Sequence, residues 1–312
     1  MFKIGTRSIG ISATPFVIAE MSGNHNQSLD RALLIVDAAA AAGAHAIKLQ
    51  TYTADTMTLD LKGGEFFIND PKSLWKGQAM HDLYKLAYTP WEWHEPIMKH
   101  AKSKNLLCFS SPFDESAIDF LETLNVPAYK IASFECIDLP LIKKAASTKK
   151  PLIISTGMAS IAEISEAVDA ARSSGCQNLV LLKCTSTYPA SPENTNLRTI
   201  AHMRDLFACD VGLSDHTLGI GAAVASVAVG ATVIEKHFTL SRSDGGVDSA
   251  FSLEPHEMTS LVNETERAYQ ALGKIRYGAT EAEKQSRSER RSLYIGENMK
   301  AGEILTSKNL RR

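Results

Sequence analysis

Two histidines are spaced like ligands of a shared metal ion. His237 follows Glu235 by two positions in the apolar segment Val233–Leu240. Side chains of an extended strand alternate, so these two point to one face. His216 follows Ser214 with the same spacing in an earlier segment. Neutral imidazoles bind first-row divalent metals and leave positions open for water or substrate. The alternative is that each histidine is packed separately in a core or a loop.

Lysines and hydroxyls that suit a small, multiply charged anion recur at the ends of other apolar segments. They are Lys48, Lys130, Lys183, Ser110, Ser111, Ser133, Ser155, Thr185 and Ser186. Ser155 opens the sequence Ser-Thr-Gly-Met just before a helical pattern that starts at Ile161. Amide groups at a helix N-terminus favour phosphate, although a lone Ser-Thr-Gly is more often only an N-cap. The hydroxyls on neighbouring segments therefore favour the phosphate interpretation.

Carboxylates occupy similar positions and are candidates for activating water. Glu20 ends the first apolar segment, Glu135 follows the fourth, and Glu235 precedes the histidine of the eighth. An enclosed site shifts the pKa of such groups and suits them to proton transfer. By contrast, His94 and His202 lie on helical patterns and are expected at the surface.

The elements that must position these residues alternate between two patterns. The eight candidate strands are Phe16–Glu20, Ala46–Thr51, Leu106–Pro112, Ala128–Ser133, Pro151–Met158, Leu179–Ser186, Val211–Thr217 and Val233–Leu240. Amphipathic helical patterns lie between most of them, which indicates parallel βαβ units buried on both faces. Polar residues end all eight strands, and a closed (β/α)8 barrel brings eight strand ends to one mouth. We therefore predict a (β/α)8 TIM barrel after an N-terminal β-hairpin in residues 2–15, rather than an open sheet.

Two segments interrupt the alternation. Residues 52–90 form an insertion that is long for a loop of this kind and is expected to lie over the mouth. After the predicted helix Pro255–Leu272 the sequence becomes polar and charged. We predict a barrel in residues 1–280, a linker in residues 281–291 and the start of a small β-rich domain in residues 292–312. The last segment is too short to form a core alone.

Composition excludes several classes of function. The chain has 312 residues and a net charge of -2, so nothing favours nucleic acid or an anionic membrane as a partner. No apolar run is long enough to cross a bilayer. The five cysteines are scattered without a close pair, which indicates a reducing compartment, and we expect the cytoplasm.

Ordered motifs along nearly the whole chain resemble those of the sialic acid synthase family. They are Ala19-Glu20, Asn24-His-Asn26, Lys48-Leu-Gln-Thr51, Ser110-Ser-Pro-Phe113, Tyr129-Lys-Ile-Ala-Ser-Phe-Glu135, Ser155-Thr-Gly-Met158, Gly212-Leu-Ser-Asp-His-Thr217 and Glu235-Lys-His-Phe238. The resemblance implies a (β/α)8 barrel followed by an antifreeze-like (SAF) domain. Within the family, the segment from Gly245 to Pro255 is most similar to pseudaminic acid synthases. Sialic and legionaminic acid synthases usually have Gly-Pro-Asp where this chain has Gly246-Val-Asp248.

The resemblance implies a carbon–carbon bond-forming transferase. Phosphoenolpyruvate would condense with 2,4-diacetamido-2,4,6-trideoxy-L-altrose and water, giving pseudaminic acid and phosphate with cleavage of a C–O bond. The residues implied for binding phosphoenolpyruvate are Lys48, Ser111, Lys130, Ser133, Ser155 and Ser214. The residues expected to be catalytic are Glu20, Lys48, Lys130, Glu135 and Glu235, with Glu20 positioning the water.

The same resemblance assigns a role to the remaining candidate site residues. His216 and His237 would bind a divalent metal, Mn²⁺ in the first place, with Mg²⁺ or Co²⁺ as alternatives. Tyr188 and Asp248 match sugar contacts of the family. Ser186 stands where an asparagine near the phosphate is common, so its place in the substrate site is less well defined.

The end of the chain carries a further expectation. In the family, the SAF domain reaches across a dimer and gives the partner's sugar site an arginine from an Arg-Pro-Gly-Asn-Gly stretch. This sequence stops at Arg312, before such a stretch. The resemblance therefore implies a domain-swapped homodimer when the SAF domain is complete, and weak or no activity for the 312-residue form.

Three alternatives stay open. The chain could be an N-acetylneuraminate or legionaminate synthase of the same family. It could be an aldolase that forms a Schiff base on Lys130 or Lys183, which would not need a metal. It could also be a barrel that binds a sugar or an anion without turnover.

Overall fold

The eight predicted strands form a closed barrel of parallel strands in the computed structural model, which describes residues 1–312. An antiparallel hairpin of β1 (Phe2–Ile4) and β2 (Arg7–Ile9) precedes the barrel. The barrel strands are β3 (Phe16–Glu20), β4 (Ala46–Thr51), β5 (Leu107–Pro112), β6 (Tyr129–Ile131), β7 (Leu152–Ser155), β8 (Leu179–Cys184), β9 (Asp210–Ser214) and β10 (Val233–His237). Consecutive strands are neighbours, and β10 closes the barrel against β3. The predicted hairpin and (β/α)8 barrel are confirmed.

The pairing register of the strands places the polar residues at their ends at the same height in the barrel. Every residue of β3 is buried, as parallel strands covered by helices on the outside require. Glu20 pairs with Lys48 on β4 and with His237 on β10. Residues paired in this way on neighbouring parallel strands lie side by side. The barrel therefore brings candidate residues from distant parts of the sequence to one mouth.

Ten helices belong to the part of the chain that contains the barrel. They are α1 (Leu29–Ala41), α2 (Ala54–Met57), α3 (Met80–Ala87), α4 (Trp91–Ser103), α5 (Glu115–Thr123), α6 (Leu139–Ser147), α7 (Ile161–Ser173), α8 (Thr199–Phe207), α9 (Gly221–Ala228) and α10 (Pro255–Leu272). Local sequence starts several of them. The Ser28 side chain accepts a hydrogen bond from the Arg31 amide at α1, and Ser160 and Glu163 form a capping box at α7.

The insertion of residues 52–90 contains α2 and α3 and is tied to the barrel by aromatic and polar contacts. The ring of Tyr52 packs edge-on against Tyr84 of α3 and against Phe113, which follows β5. Trp75 Nε1 donates a hydrogen bond of 2.8 Å to the carbonyl oxygen of Val247, in the loop after β10. The insertion therefore contacts two loops at the C-terminal ends of the strands.

The expectation that His94 lies at the surface is wrong. Its side chain is fully buried on the inner face of α4. His94 Nε2 lies 2.7 Å from Thr51 Oγ1, at the end of β4. A helical pattern places a residue on a helix but does not separate a satisfied core histidine from an exposed one. His202, in contrast, is exposed as expected.

Residues Gly273–Arg312 form a second unit, separate from Met1–Leu272. This unit contains α11 (Lys284–Ser288) and a short antiparallel pair of β11 (Tyr294–Ile295) and β12 (Leu310–Arg311). The assignment of its last residues to an SAF domain stays a prediction. No helix anywhere in the chain has both the length and the apolar character that a membrane crossing requires.

Candidate active site

Two lysines and two carboxylates form a buried cluster at the mouth of the barrel. Lys48 Nζ lies 2.8 Å from Glu20 Oε2 and 3.6 Å from Glu235 Oε1. Lys130 Nζ lies 3.6 Å from the same Glu235 oxygen. All four residues are almost inaccessible to solvent. Buried charges are costly unless they are paired. Here the pairing keeps four ionisable groups at the strand ends, where a ligand can meet them.

Burial and mutual charge shift the pKa values of the two carboxylates in opposite directions. Burial raises the pKa of Glu20 to about 7, although Lys48 acts to lower it. Burial also acts to raise the pKa of Glu235, but Lys130 and Lys48 outweigh it and hold that pKa below its usual value. Carboxylates whose pKa values are driven apart are suited to different roles. Glu235 is suited to a lasting negative charge, and Glu20 to exchanging a proton near neutral pH.

Hydroxyls from two further strands contact this cluster. Lys48 Nζ donates a hydrogen bond of 3.0 Å to Ser111 Oγ at the end of β5. Ser214 Oγ, at the end of β9, donates a hydrogen bond of 3.0 Å to Glu235 Oε1. Gln50 Nε2 donates a hydrogen bond of 2.9 Å to Glu20 Oε1. The structure thus brings Ser111 and Ser214 to the lysines, as the barrel arrangement predicts.

Three more predicted hydroxyls lie at the end of β7 and just after β6 and β8. Ser186 Oγ donates a hydrogen bond of 2.8 Å to Ser133 Oγ. Ser155 Oγ is buried and has no hydrogen-bond partner in the protein. Gly157 has a φ of +47°, and a Cβ added there would lie 2.6 Å from Ser133 Cβ, so glycine is required for this close approach. A buried hydroxyl without a partner can donate a hydrogen bond to the oxygen of a ligand.

His216 and His237 lie next to each other, with ring centroids 5.3 Å apart. His216 Nδ1 lies 2.9 Å from the carbonyl oxygen of Thr185. A carbonyl only accepts, so Nδ1 carries the proton and Nε2 keeps its lone pair. His237 Nδ1 is buried without a hydrogen-bond partner, and burial holds the pKa of His237 well below its usual value. Two imidazoles in this state fit a shared divalent cation.

Two groups beside the histidines modify such a site. Asp248 Oδ2 lies 3.7 Å from His237 Nδ1, and Cys184 Sγ lies 4.0 Å from His216 Nδ1. Burial acts to lower the pKa of His216, but the contact with Cys184 outweighs it and raises that pKa. A cation bound by His216 therefore competes with a proton, and its affinity falls as the pH is lowered.

Two other groups of three potential metal ligands lie outside the mouth, and both are next to a cation of the protein itself. One group is Asp60, His81 and Asp82 in the insertion, and the other is Glu254, His256 and Glu257 at the start of α10. Lys62 Nζ lies 2.9 Å from Asp60 and 2.6 Å from Asp82. Arg242 is paired with Glu257 in the second group. Neither histidine at the mouth forms an ion pair with a lysine or arginine, and this pair remains the candidate metal site.

Aromatic side chains form a wall beside the histidines. The Tyr188 ring lies 4.5 Å from the His216 ring and 5.3 Å from Phe251, between centroids. Trp75 of the insertion lies 5.8 Å from Tyr188. The sequence patterns identified Tyr188 through a family motif but gave Phe251 and Trp75 no role. An aromatic residue in a long insertion over a mouth is the signal that could have found Trp75.

The carboxylate of Asp248 is held by a residue that the sequence patterns did not select. Ser22, in the turn after β3, donates a hydrogen bond to Asp248 Oδ2. Burial raises the pKa of Asp248, and the bond from Ser22 acts to lower it. This holds a hydrogen-bonding carboxylate beside His237, with Oδ2 at 3.7 Å from its Nδ1.

Two predicted residues stand apart from the cluster. Glu135 lies in the turn Phe134–Ile137 after β6 and forms no ion pair, and its Oε2 is buried without a hydrogen-bond partner. Burial raises the pKa of Glu135 to about 7. Lys183 Nζ donates to the carbonyl oxygen of Cys184 at 2.8 Å, so it is held against the end of its own strand.

Ionisable residues gathered at the C-terminal strand ends of a (β/α)8 barrel define an enzyme active site of the TIM-barrel class. The NeuB family model matches residues 35–277 of this chain. The chain therefore belongs to the NeuB family, and the membership in the sialic acid synthase family that the motifs predict is confirmed.

Individual relatives agree over nearly the whole chain. The pseudaminic acid synthase of Campylobacter jejuni is 42% identical over 95% of this chain and 86% of its own length. The N,N'-diacetyllegionaminic acid synthase of the same strain is 36% identical over 94% of this chain and 88% of its own length. The structure of N-acetylneuraminic acid synthetase from Leptospira borgpetersenii with citrate matches with a TM-score of 0.80 and 32% identity. That match covers 93% of this chain and 95% of the other.

Proposed function

We propose that the chain is a pseudaminic acid synthase. It condenses phosphoenolpyruvate with 2,4-diacetamido-2,4,6-trideoxy-L-altrose and water, giving pseudaminic acid and phosphate. A bond forms between C3 of the enolpyruvyl group and the aldehyde carbon of the open-chain sugar. Water adds its oxygen to C2, and phosphate leaves with the bridging oxygen. The observation that carries this chemistry is the buried cluster of two lysines and two carboxylates, which combines anion binding with proton transfer.

Phosphoenolpyruvate, with its phosphate and carboxylate groups, binds against the lysines. Lys48 and Lys130 supply positive charge where water is excluded, and an ion pair with an incoming anion is stronger there than at the surface. Ser155 Oγ is buried without a protein partner and donates a hydrogen bond to the anion. Ser111 and Ser133 also donate hydrogen bonds to the anion. The glycine-containing turn after β7 allows the close approach of the anion to the backbone.

Glu20 is the group that takes a proton from the attacking water. Its pKa of about 7 lets it accept a proton at neutral pH and return it, and Gln50 and Lys48 fix the orientation of the carboxylate. His216 and His237 are the residues that would hold a divalent ion, Mn²⁺ in this proposal, whose chemistry is Lewis-acid polarisation of the aldehyde. Tyr188 and Asp248 bind the sugar beside them.

The choice of sugar rests on the comparison of two relatives from one strain. The chain is 42% identical to the pseudaminic acid synthase and 36% identical to the legionaminic acid synthase, over nearly the same length. A legionaminic acid synthase is the second candidate, since the residues of the cluster would serve either reaction.

Separate incubations with three sugars test this proposal. A chain that includes a complete SAF domain is supplied with phosphoenolpyruvate, Mn²⁺ and the altrose derivative, the legionaminic acid precursor or N-acetylmannosamine, and phosphate release and product mass are measured. We expect turnover with the altrose derivative, at least tenfold above the others, and its loss with EDTA. Activity that survives EDTA, together with borohydride trapping of substrate on Lys130 or Lys183, would favour a Schiff-base aldolase. Binding without turnover would favour a sugar-binding barrel.

The larger assembly is also part of the proposal. We assign the barrel to residues 1–280, a linker to residues 281–291 and SAF-type structure to residues 292–312. We propose that the protein acts in the cytoplasm as a homodimer whose SAF domains are exchanged between subunits. The support is the antiparallel pair of β11 and β12 after the linker. Sedimentation equilibrium on a chain with the SAF domain should give the dimer mass, and a monomer would contradict the exchange.

A further inference from the structure

An apolar cavity of about 400 Å³ lies between the insertion and the loop after β10. Its wall consists of Leu74, Trp75, Leu83, Leu86, Val247 and Ala250, with Gln78 as the one polar side chain. Several of these residues are solvent-exposed, including Leu74 and Leu86, although they are large and hydrophobic. A concave, mostly apolar site with one polar group is typical of small-molecule binding.

The cavity lies beside the candidate active site, one aromatic ring away from the histidines. Trp75, which lines it, packs at 5.8 Å from Tyr188, and Tyr188 packs at 4.5 Å from His216, between ring centroids. The bond from Trp75 Nε1 to the Val247 carbonyl joins the two sides of the cavity. Only the width of the Tyr188 ring therefore separates the histidines from the cavity. An extended six-carbon sugar is roughly 6 Å long between its end carbons, judged from ordinary carbon–carbon bond lengths.

We infer that this cavity binds the apolar groups at the end of the sugar remote from the aldehyde, and so selects for 6-deoxy, N-acetylated sugars. The inference rests on the proposed function. With the aldehyde at His216 and His237, the groups on C4 to C6 extend past Tyr188 towards Trp75. A C6 methyl and an acetamido methyl fill an apolar wall without leaving polar atoms unpaired. A hydroxymethyl group would set a hydroxyl against this apolar wall, where Gln78 is the only polar side chain to receive it.

Two residues of the cavity provide the proposed selectivity. Leu86 on α3 and Trp75 contribute side-chain surface to the cavity and touch neither the lysine–carboxylate cluster nor the histidines. They are specificity residues and not catalytic ones. Leu59 lies on the same insertion, is 63% exposed and does not line the cavity, so it provides a matched control.

The test compares two sugars that differ at one position, the proposed 6-deoxy sugar and its analogue with a hydroxymethyl group at C5. Steady-state kcat/KM is measured for the wild type and for Leu86→Ser, Trp75→Ala and Leu59→Ser. The wild type should prefer the 6-deoxy sugar by about 10–100-fold, because an apolar pocket rejects an added hydroxyl by up to about 10²-fold. Leu86→Ser and Trp75→Ala should reduce this preference to a few-fold, mainly through KM, and Leu59→Ser should retain it.

The outcomes separate the two proposals. Equal kcat/KM for both sugars in the wild type, or a preference unchanged in both cavity variants, would overturn the cavity assignment and leave the synthase proposal standing. Absence of a nonulosonic acid product from either sugar would overturn both. Trp75→Ala also removes a hydrogen bond, so a thermal midpoint accompanies each variant. Leu86 is 55% exposed, so its replacement by serine should leave the fold intact, and this variant decides if Trp75→Ala unfolds.

Discussion

Among single residues, Glu20 connects the structure to the chemistry most directly. It is buried, paired with Lys48 at 2.8 Å, and its pKa is raised by burial to about 7. A general base acts in its deprotonated form, so turnover should rise with pH and level off above about pH 7. The bond from Gln50 Nε2 keeps the carboxylate in place, and a glutamine at this position can accept the same bond.

Glu20→Gln should therefore lower kcat by about 10²–10⁴-fold, the usual contribution of a positioned base. The pH profile decides between a chemical and a structural role. The remaining activity of the variant should lose the rise through pH 7 while the binding of phosphoenolpyruvate, measured by calorimetry, stays within a few-fold. A variant that retained the wild-type pH profile would show that another group takes the proton.

Glu135 gives a prediction about stability instead of rate. Burial raises its pKa from the usual 4.5 to about 7 in the folded state. Between these values the folded protein holds a proton that the unfolded chain has released, so the free energy of unfolding falls as pH rises from 4.5 to 7. Glu135→Gln cannot titrate. Relative to the wild type, this variant should gain stability of order 1 kcal/mol across that window, discounted because the residue is only half-buried.

Urea unfolding at pH 4.5, 6 and 8 measures this difference. The exposed Glu166 lies on α7, and Glu166→Gln serves as the control, for which the difference from the wild type should stay constant. A constant difference for Glu135→Gln as well would show that its carboxyl titrates alike in the folded and unfolded chains.

The location of a side chain at the mouth could be predicted where the strand pattern determines it. Glu20 ends β3 and Lys48 lies within β4, two strands whose bounds the alternation predicted correctly, so the barrel brings them together. Contacts such as Ser22 with Asp248 and Trp75 with Tyr188 could not be predicted. They join segments far apart in the sequence, and their geometry depends on how loops pack over the mouth.

At the scale of elements, the pair β9 and β10 positions both histidines. Alternation places Lys236 on the opposite face of β10 from Glu235 and His237, and the structure agrees. Lys236 Nζ lies 2.8 Å from Asp215 Oδ2 and 2.6 Å from the Thr217 carbonyl oxygen, with both charged side chains fully buried. This ion pair ties the segment that carries His216 to the strand that carries His237.

Removal of one partner leaves a buried charge unpaired. Lys236→Met should lower the free energy of unfolding by about 3–5 kcal/mol, and adding Asp215→Asn should restore part of the loss. Asp215 Oδ1 accepts a bond from the Thr217 amide, which an asparagine oxygen can keep. The surface pair of Lys99 and Glu95 is the control, and Lys99→Met should cost less than about 1 kcal/mol. A loss in Lys236→Met no larger than in this control would contradict the account.

The sequence patterns did not predict every helix, and α6 and α3 were missed for different reasons. In α6 the buried residues Leu141, Ile142, Ala145 and Ala146 recur at helical spacing, and Asp138 caps the first turn, so the signal was present. This helical pattern is short, and Pro140 and two adjacent lysines make it hard to recognise. The helix α3 lies inside the insertion. Its eight residues are too few to show a clear helical periodicity.

For the whole molecule, regular alternation was enough to predict a closed barrel with one functional mouth. The path of the insertion, and therefore the cavity that it forms with the loop after β10, was beyond a pattern of apolar residues. It depends on individual contacts, such as the bond from Trp75 to Val247. The molecule thus combines a predictable scaffold with a specificity surface that only tertiary structure reveals.

The most direct test of the central claim follows one oxygen atom. A chain that includes a complete SAF domain is supplied with Mn²⁺, the altrose derivative and phosphoenolpyruvate labelled with ¹⁸O in its bridging position, and both products are analysed by mass spectrometry. The account predicts pseudaminic acid without label and phosphate with the full label, because the C–O bond breaks. Retention of the label in the nonulosonic acid, or release of phosphate without any nine-carbon product, would contradict it.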